Sequence, residues 1–341
     1  MILAGDIGGT RARLALYDGP TGKPVVQDTF VSRAHESLEA VVLAFLGPRR
    51  TKQVKAASFG IAGPVIDQRC VATNFPWVVD ARVVARKLGI PRVTLLNDLV
   101  ALAFGALTVS RSKIQVLHGD APPKKSGGNL AVIAAGTGLG EAGLVWDGVR
   151  HVPLATEGGH TDFGARNPLE QDLWGWLEKR FGHVSYERIV AGPGFSALYD
   201  FFREEKKVPE TPENDDLLVD ATDRNAAIAR LGVEGKSEPA VKTVDLFARI
   251  YGAEAGNLAL KTLATAGVFV AGGIAGQLID VLAKGPFIEA FLDKGRFRSL
   301  LEKVPVAVVM DAGIGLAGSR YHAARALEEA APRRKAKRKA K

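Results

Sequence analysis

The stretch ILAGDIGGTRARLALYD, residues 2–18, holds two apolar extended segments broken by a turn of two glycines and a threonine. ILAGD ends on an acid, RARLALYD alternates in part, and a third segment, PVVQDTFV (24–31), follows after another glycine-bearing turn. The pattern predicts a meander of three strands at the start of a domain. Outward from it, helix SLEAVVLAFLG (37–47), with Ser37 as N-cap, leads to the apolar strand KAASFGIAG (55–63). Helix ARVVARKLG (81–89) then leads to strand RVTLL (92–96), and Asn97-Asp98 separates that strand from the apolar helix LVALAFGAL (99–107). Asn97-Asp98 therefore stands at the carboxyl end of a strand, where open α/β sheets place their ligands. The first domain is expected to end near residue 110.

The strand-rich pattern restarts with KIQVLHG (113–119), a loop DAPPKKSGG (120–128), strand NLAVIAAG (129–136), a glycine turn and strand EAGLVWDG (141–148). Helical stretches follow at PLEQDLWGWLEKRFG (168–182), FSALYDFFREEKK (195–207), a charged segment of 207–224, and DLFARIYGAEAGNLALKTLATAG (245–267). Strands VFVAGGI (268–274) and PVAVVMD (305–311) and the helix IGLAGSRYHAARALEEA (314–330) complete the order. Such alternation excludes solenoid repeats and all-α or all-β folds and leaves two α/β domains, each opening with antiparallel strands. The two openings resemble each other in pattern but not in residues.

With 341 residues, 47% hydrophobic and 24% charged, the chain has the composition of a globular protein long enough for about two domains. The longest apolar runs fall short of the roughly 18 residues that span a bilayer. The N-terminus lacks a basic region and reaches Asp6 early, so it does not read as a secretory signal, and a cytoplasmic protein is expected. A single cysteine, Cys70, excludes internal disulfides and multi-cysteine metal centres. The net charge of +8 is carried by the tail RRKAKRKAK (333–341), whose seven basic residues leave 38 against 37 acids in the rest. That tail reads first as a solvated run and second as a docking arm for a polyanion.

Neither standard nucleotide motif is present. GTGLGE (136–141) has Glu141 where a dinucleotide fingerprint needs its third glycine, and GVEGKS (232–237) has Arg230 where a P-loop needs its first. Glycines nevertheless gather at strand ends in GDIGGT (5–10), GTGLG (136–140), EGGH (157–160) and AGG (271–273). Each alone reads as a tight turn; four together, with acids interleaved, point to backbone N–H groups facing phosphates. Asp6 can hold the hydration shell of Mg²⁺ or merely cap its turn. Asp98 can accept a proton from a substrate hydroxyl, or Asn97 or Asp98 can cap the helix that follows. Glu157 and His160 around their double glycine, and Glu187 in HVSYERIV (183–190), are donors and acceptors suited to a polyhydroxylated ligand, or surface polar groups.

GDIGGTRARLALYD, LLNDL, AAGTGLGEAGLV, LATEGGHTDF, ERIVAGPG, GVFVAGGI and DKGRF, in this order from residue 5 to 297, resemble the bacterial glucokinase family of the actin-like sugar kinases. The resemblance runs from about residue 3 to 325. It implies an α/β fold of two RNase H-like (actin-like ATPase) domains around a cleft, with mixed sheets flanked by helices. The small domain would be 1–110 with 312–330, the large one 111–311, and 331–341 a basic disordered tail. It implies ATP and Mg²⁺ as co-substrates and glucose as acceptor. By motif, Asp6 would lie near the metal, Gly8, Gly9 and Thr10 near the phosphates, Gly136, Thr137 and Gly138 in a second phosphate loop, and Gly272 and Gly273 near the adenosine. Asn97, Glu157, His160 and Glu187 would hold the sugar and Asp98 would be the general base. A homodimer is implied by the family alone. Arg11 departs from the family, where Asn commonly follows GGT, and puts a positive side chain near the first loop.

Three functions compete: an ATP-dependent glucokinase, a kinase for another hexose or with polyphosphate as donor, and a catalytically silent sugar sensor. The presence of Asp98 and of both glycine loops favours a kinase over a sensor.

Overall fold

β1 (Ile2–Ile7) and β2 (Arg11–Tyr17) pair antiparallel across the glycine turn, Ile2 opposite Tyr17 and Ile7 opposite Ala12, and β3 (Val26–Val31) continues the meander against β2. The computed structural model describes residues 1–71, 77–122 and 127–330. The expected basic tail of 331–341 and the middle of the DAPPKKSGG loop lie outside these residues. The chain divides into two compact units, residues 1–108 with 313 onward, and residues 109–312.

In the first unit, β4 (Ala56–Ile61) and β8 (Val93–Asn97) add parallel strands beside β1, giving the order β3-β2-β1-β4-β8. Strand alternation splits the buried residues of β1 between two layers. Leu3 and Ile7 face Val41, Val42 and Val84 of helices α1 (Leu38–Thr51) and α2 (Ala81–Leu88). Ile2 and Ala4 face Leu316, Ala323 and Ala324 of the C-terminal helix, Ile314–Ala330. Each fully buried Leu or Ile contributes about 2 kcal/mol. The Ser37 hydroxyl caps α1 by accepting from Ala40 N at 3.2 Å, and Gly89 at φ 66 closes α2. Within α1 the backbone leaves the helical region at Gly47, φ 67 and ψ 165, where the sequence predicts the helix to end, and a separate short turn from Pro48 reaches Thr51.

A further sheet of β5 (Val65–Ile66), β6 (Arg69–Val71) and β7 (Val78–Asp80) was not legible, because strands of two or three residues carry no periodicity. Its β5–β6 turn places Asp67 and Gln68 at φ 51 and 62, and the Gln68 amide exchanges two hydrogen bonds with the backbone of Leu95 in β8, at 2.9 and 3.3 Å.

The second unit has the order β12-β11-β10-β13-β14-β9. Its strands are β9 (Ile114–His118), β10 (Leu130–Ala135), β11 (Leu139–Trp146), β12 (His151–Ala155), β13 (Gly267–Ala271) and β14 (Val306–Val309). β10, β11 and β12 form an antiparallel meander, and β13 and β14 lie parallel to β10. Apart from the added antiparallel edge β9, the sheet repeats the first unit strand for strand.

The helices of this unit are α4 (Pro168–Phe181), α5 (Gly192–Asp200), α6 (Pro212–Asp220), α7 (Arg224–Val233), α8 (Glu238–Thr262) and the short α9 (Gly273–Gln277), α10 (Ile279–Ala283), α11 (Pro286–Leu292) and α12 (Arg298–Leu301). β12 escaped the sequence because Pro153 sits in it and its other side is solvent. α8 begins at Glu238, not Asp245, since Ser237 accepts from Ala240 N and Pro239 fits a first turn. FSALYDFFREEKK is not one helix: α5 starts at Gly192, and Phe201–Glu205 form a single π-helical turn. The 207–224 segment contains α6, held where Glu210 accepts from Tyr199 Oη at 2.9 Å, from Asn214 Nδ2 at 2.9 Å and from Ser237 Oγ.

Candidate active site

In the first unit the glycine turn is fixed from both sides. Gly8 N donates to Arg11 O at 2.9 Å, the Ser32 hydroxyl donates to Gly8 O at 2.7 Å, and Ser32 N donates to Thr10 O at 3.0 Å. Gly8 and Gly9 are half-buried and Thr10 is exposed. Asp6, one residue before the end of β1, lies 3.9 Å from Arg13 Nη1 across the β1–β2 ladder. Burial pushes its carboxyl above the ordinary value, and the Arg13 charge opposes that rise. The first turn of the C-terminal helix closes on the same carboxylate, for a Cβ at Gly315 would sit 3.3 Å from Asp6 Cγ. Among the described residues no three His, Cys, Asp or Glu gather into a metal cage. A lone half-buried carboxylate beside a glycine turn fits Mg²⁺ that keeps its water and takes phosphate oxygens.

At the end of β8 in the same unit, Asn97 is the N-cap of α3 (Asp98–Ala106). Its Oδ1 accepts from Leu99 N at 2.9 Å and Val100 N at 3.4 Å, and its Nδ2 donates to Gly63 O at 3.2 Å. The capping alternative open in the sequence therefore holds for Asn97. Asp98 is the first residue of α3, half-buried, with Oδ1 accepting from Leu99 N at 3.0 Å. Cys70 is buried close by, where desolvation and the Asp98 charge both push its thiol upward.

In the second unit the turn after β10 is Gly136-Thr137-Gly138. Gly136 N donates to Gly138 O at 2.8 Å, and Gly192 N at the start of α5 donates to Gly136 O at 2.8 Å. Glu187, on the 3₁₀ turn Tyr186–Arg188, accepts from Leu139 N at 2.9 Å and occupies the space that a Cβ on Gly138 would need. Glu157 precedes the 3₁₀ turn Gly158–His160, which ends on His160, and both side chains are exposed. His160 Nδ1 stands 3.8 Å from Glu187 Oε1. Gly159 packs on Leu139 O so closely that no Cβ could be placed there. Within this unit Gly136, Gly138, Glu187 and His160 are thus brought together around the β10–β11 turn.

The AGG turn joins them. Gly272, at φ 89, leaves no room for a Cβ against Ala135 O, whereas a Cβ on Gly136 or Gly273 would meet nothing within 4 Å. The Tyr251 hydroxyl, buried on α8, accepts from Ala135 N at 3.2 Å and lies 3.4 Å from Ala271 O. At the C-terminal end of α9 lies a cavity of about 520 Å³, lined by Asp223, which caps α7, by Ala226, Ala227 and Arg230 of α7, and by Gln277 and Leu278. Sequence reasoning named neither Tyr251 nor the cavity: a tyrosine in an apolar helix reads as core, and the cavity is made by segments about fifty residues apart.

A sequence-family model described as Glucokinase matches residues 3–326. A glucokinase of Synechocystis sp. (strain ATCC 27184 / PCC 6803 / Kazusa) is 38% identical over 349 aligned positions, covering 94% of this chain and 97% of that protein. Among solved structures, a glucokinase from an Antarctic psychrotroph superposes with a TM-score of 0.81 at 28% identity, covering 95% of this chain and 98% of that one. A glucokinase from Balamuthia mandrillaris, solved in complex with glucose, has a TM-score of 0.74 at 20% identity over 94% of this chain and 93% of that one, a likeness of fold.

Proposed function

The chain belongs to the glucokinase family, and from that premise we propose that it is an ATP-dependent hexose kinase that phosphorylates the 6-hydroxyl of glucose. The observation that carries the reading is the matched pair of glycine turns. β1–β2 and β10–β11 are the corresponding hairpins of two sheets with the same strand order, and each turns on glycines whose missing side chains let an oligophosphate lie against the main chain.

In this reading the sugar oxygen attacks the γ-phosphorus, its proton passes to Asp98, and the bond to the β–γ bridging oxygen breaks to release ADP. Asp98 orients the hydroxyl and takes its proton, a task that needs position more than bond-making. Its place at the head of α3, fixed by the Asn97 cap, supports that role. Asn97, Glu157, His160 and Glu187 hold sugar hydroxyls. Gly8, Gly9, Thr10, Gly136, Thr137 and Gly138 face phosphates, and Gly272 and Gly273 approach the adenosine, with the alanine-walled cavity beside Gln277 as the place for the base. Asp6 would hold Mg²⁺ through water, and the ion would neutralise phosphate charge. A homodimer belongs to the same reading and is checked by light scattering. No helix among the described residues is long and apolar enough to cross a membrane.

The test is ADP release from Mg-ATP over a panel of hexoses, run beside Asp98→Asn. Turnover with glucose and a loss of at least about a hundredfold in the variant support the reading. Turnover with polyphosphate alone would change the donor. Silence with both donors, while glucose still raises the melting temperature, would make the protein a sugar sensor.

A further inference from the structure

Glu141 is the third residue of the apolar strand β11 and is 1% exposed, and Glu254 of α8 is 0% exposed. The Glu254 charge acts on the buried Glu141 carboxyl and holds its proton on, with a hydrogen bond to Glu254 adding to the same effect. Glu254 is held by two donors, with Lys261 Nζ 3.0 Å from its Oε1 and Asn257 Nδ2 donating to its Oε2 at 2.7 Å. No donor among the described residues reaches Glu141 Oε1. Glu141 keeps its proton at neutral pH, for its ionisation is pushed up to about 8 by burial first and by the Glu254 charge second, against the pull of Lys261.

Two neighbours tie this pair to residues read above as sugar contacts. Glu141 Oε2 fills the space a Cβ on Gly158 would take, and Thr156 Oγ1 donates to Glu141 O at 3.0 Å, so the turn between Glu157 and His160 rests on Glu141. On the other side, the Tyr186 hydroxyl, adjacent in sequence to Glu187, bonds to Glu254 and accepts from Asn257 Nδ2 at 3.0 Å.

We propose that Glu141 is a positioning residue for the sugar, a protonated carboxyl that, with Glu254, joins the Glu157–His160 turn to the segment carrying Glu187. Losing the proton sets two carboxylates against each other in a dry site and pushes both segments off their support. Sugar affinity then falls on the alkaline side while the chemical step, which Glu141 does not touch, persists. The proposal rests on the reading of Glu157, His160 and Glu187 as sugar ligands.

The charged groups facing the pair are Lys261 on α8, Tyr186, whose hydroxyl is pushed up to about 12, and Lys294, which burial and the nearby Arg166 push down to about 8 and which faces Glu254. Lys294 is a rival source of any transition near that pH, and Lys294→Arg removes its titration while keeping its charge.

The experiment measures glucose KM and kcat at saturating Mg-ATP, and glucose binding by calorimetry, between about pH 7 and pH 9.5 on the full chain. Wild type and Lys294→Arg should lose affinity by about fivefold or more across that range, while Glu141→Gln should stay within about twofold with kcat preserved. Glu254→Gln, which also leaves one acid, should flatten the profile too and serves if Glu141→Gln does not fold. A wild-type profile that is flat, or one unchanged in both glutamine variants, overturns the proposal. Wild-type protein that neither binds nor phosphorylates glucose overturns the functional reading instead.

Discussion

Tyr251 reaches from the middle of α8 to the point where β10 and β13 part, and its one hydroxyl takes Ala135 N and approaches Ala271 O, the residues just before Gly136 and Gly272. A phenylalanine there leaves a buried N–H without a partner at the root of both glycine turns, a cost of about 1–3 kcal/mol. Tyr251→Phe is expected to raise the KM for ATP several-fold while the KM for glucose stays within about twofold. Equal rises in both constants, or a lower melting point with neither, would reduce the hydroxyl to a stabilising contact. At this scale the residues of the glycine turns and of Asn97-Asp98 were legible, because strand ends followed by glycine or by an acid before an apolar helix leave a local pattern. Tyr251, Glu141 and Glu254 were not, because each looks like a stray polar group in an apolar element until its partner, over a hundred residues away, is beside it.

At the scale of elements, α3 and the C-terminal helix cross within touching distance of their backbones. A Cβ on Gly318 would overlap Ala101 O, and one on Gly105 would overlap Ile314 O. On the sheet below, the Ser319 hydroxyl donates to Gly5 O at 2.8 Å and takes Gly60 N at 3.2 Å. Gly318→Val is therefore expected to lower stability by about 3 kcal/mol and to lower the melting temperature by several degrees. Because α3 begins with Asp98, the same variant should lose turnover at temperatures where it is still folded; an unchanged melting curve would show that the two helices can slide apart at no cost. The sequence displayed both helices by their apolar runs. It did not display their crossing, which depends on where small residues from positions about two hundred apart coincide.

For the molecule as a whole, His322 shows how the C-terminal helix makes the first unit sensitive to acid. Its Nδ1 lies 3.2 Å from Thr94 Oγ1 and 3.3 Å from Ser58 Oγ, and its ring packs 5.4 Å from Phe104. Burial, and secondarily Arg325, pushes its ionisation down to about 4, with Glu329 opposing. The folded value lies below the ordinary one of 6.5, so the unfolded chain takes up the proton first. Stability from this site is complete above about pH 6.5 and is lost as pH falls toward 4, on the order of 2 kcal/mol after allowance for partial exposure. Melting temperatures of His322→Gln should fall less steeply than wild type over that window, and parallel curves would remove His322 from the acid response. By itself the sequence determined the longer strands other than β12, the main apolar helices, the restart of the pattern near residue 110 and the glycine turns, since those follow from periodicity and from residues with special backbone freedom. Only the tertiary structure decided that the two sheets share one strand order, through which small residues the last helix crosses α3, and that buried acids stand under the Glu157–His160 turn. Those facts come from pairing and burial between distant segments, and no local pattern encodes which distant side chain will supply the missing hydrogen bond or proton.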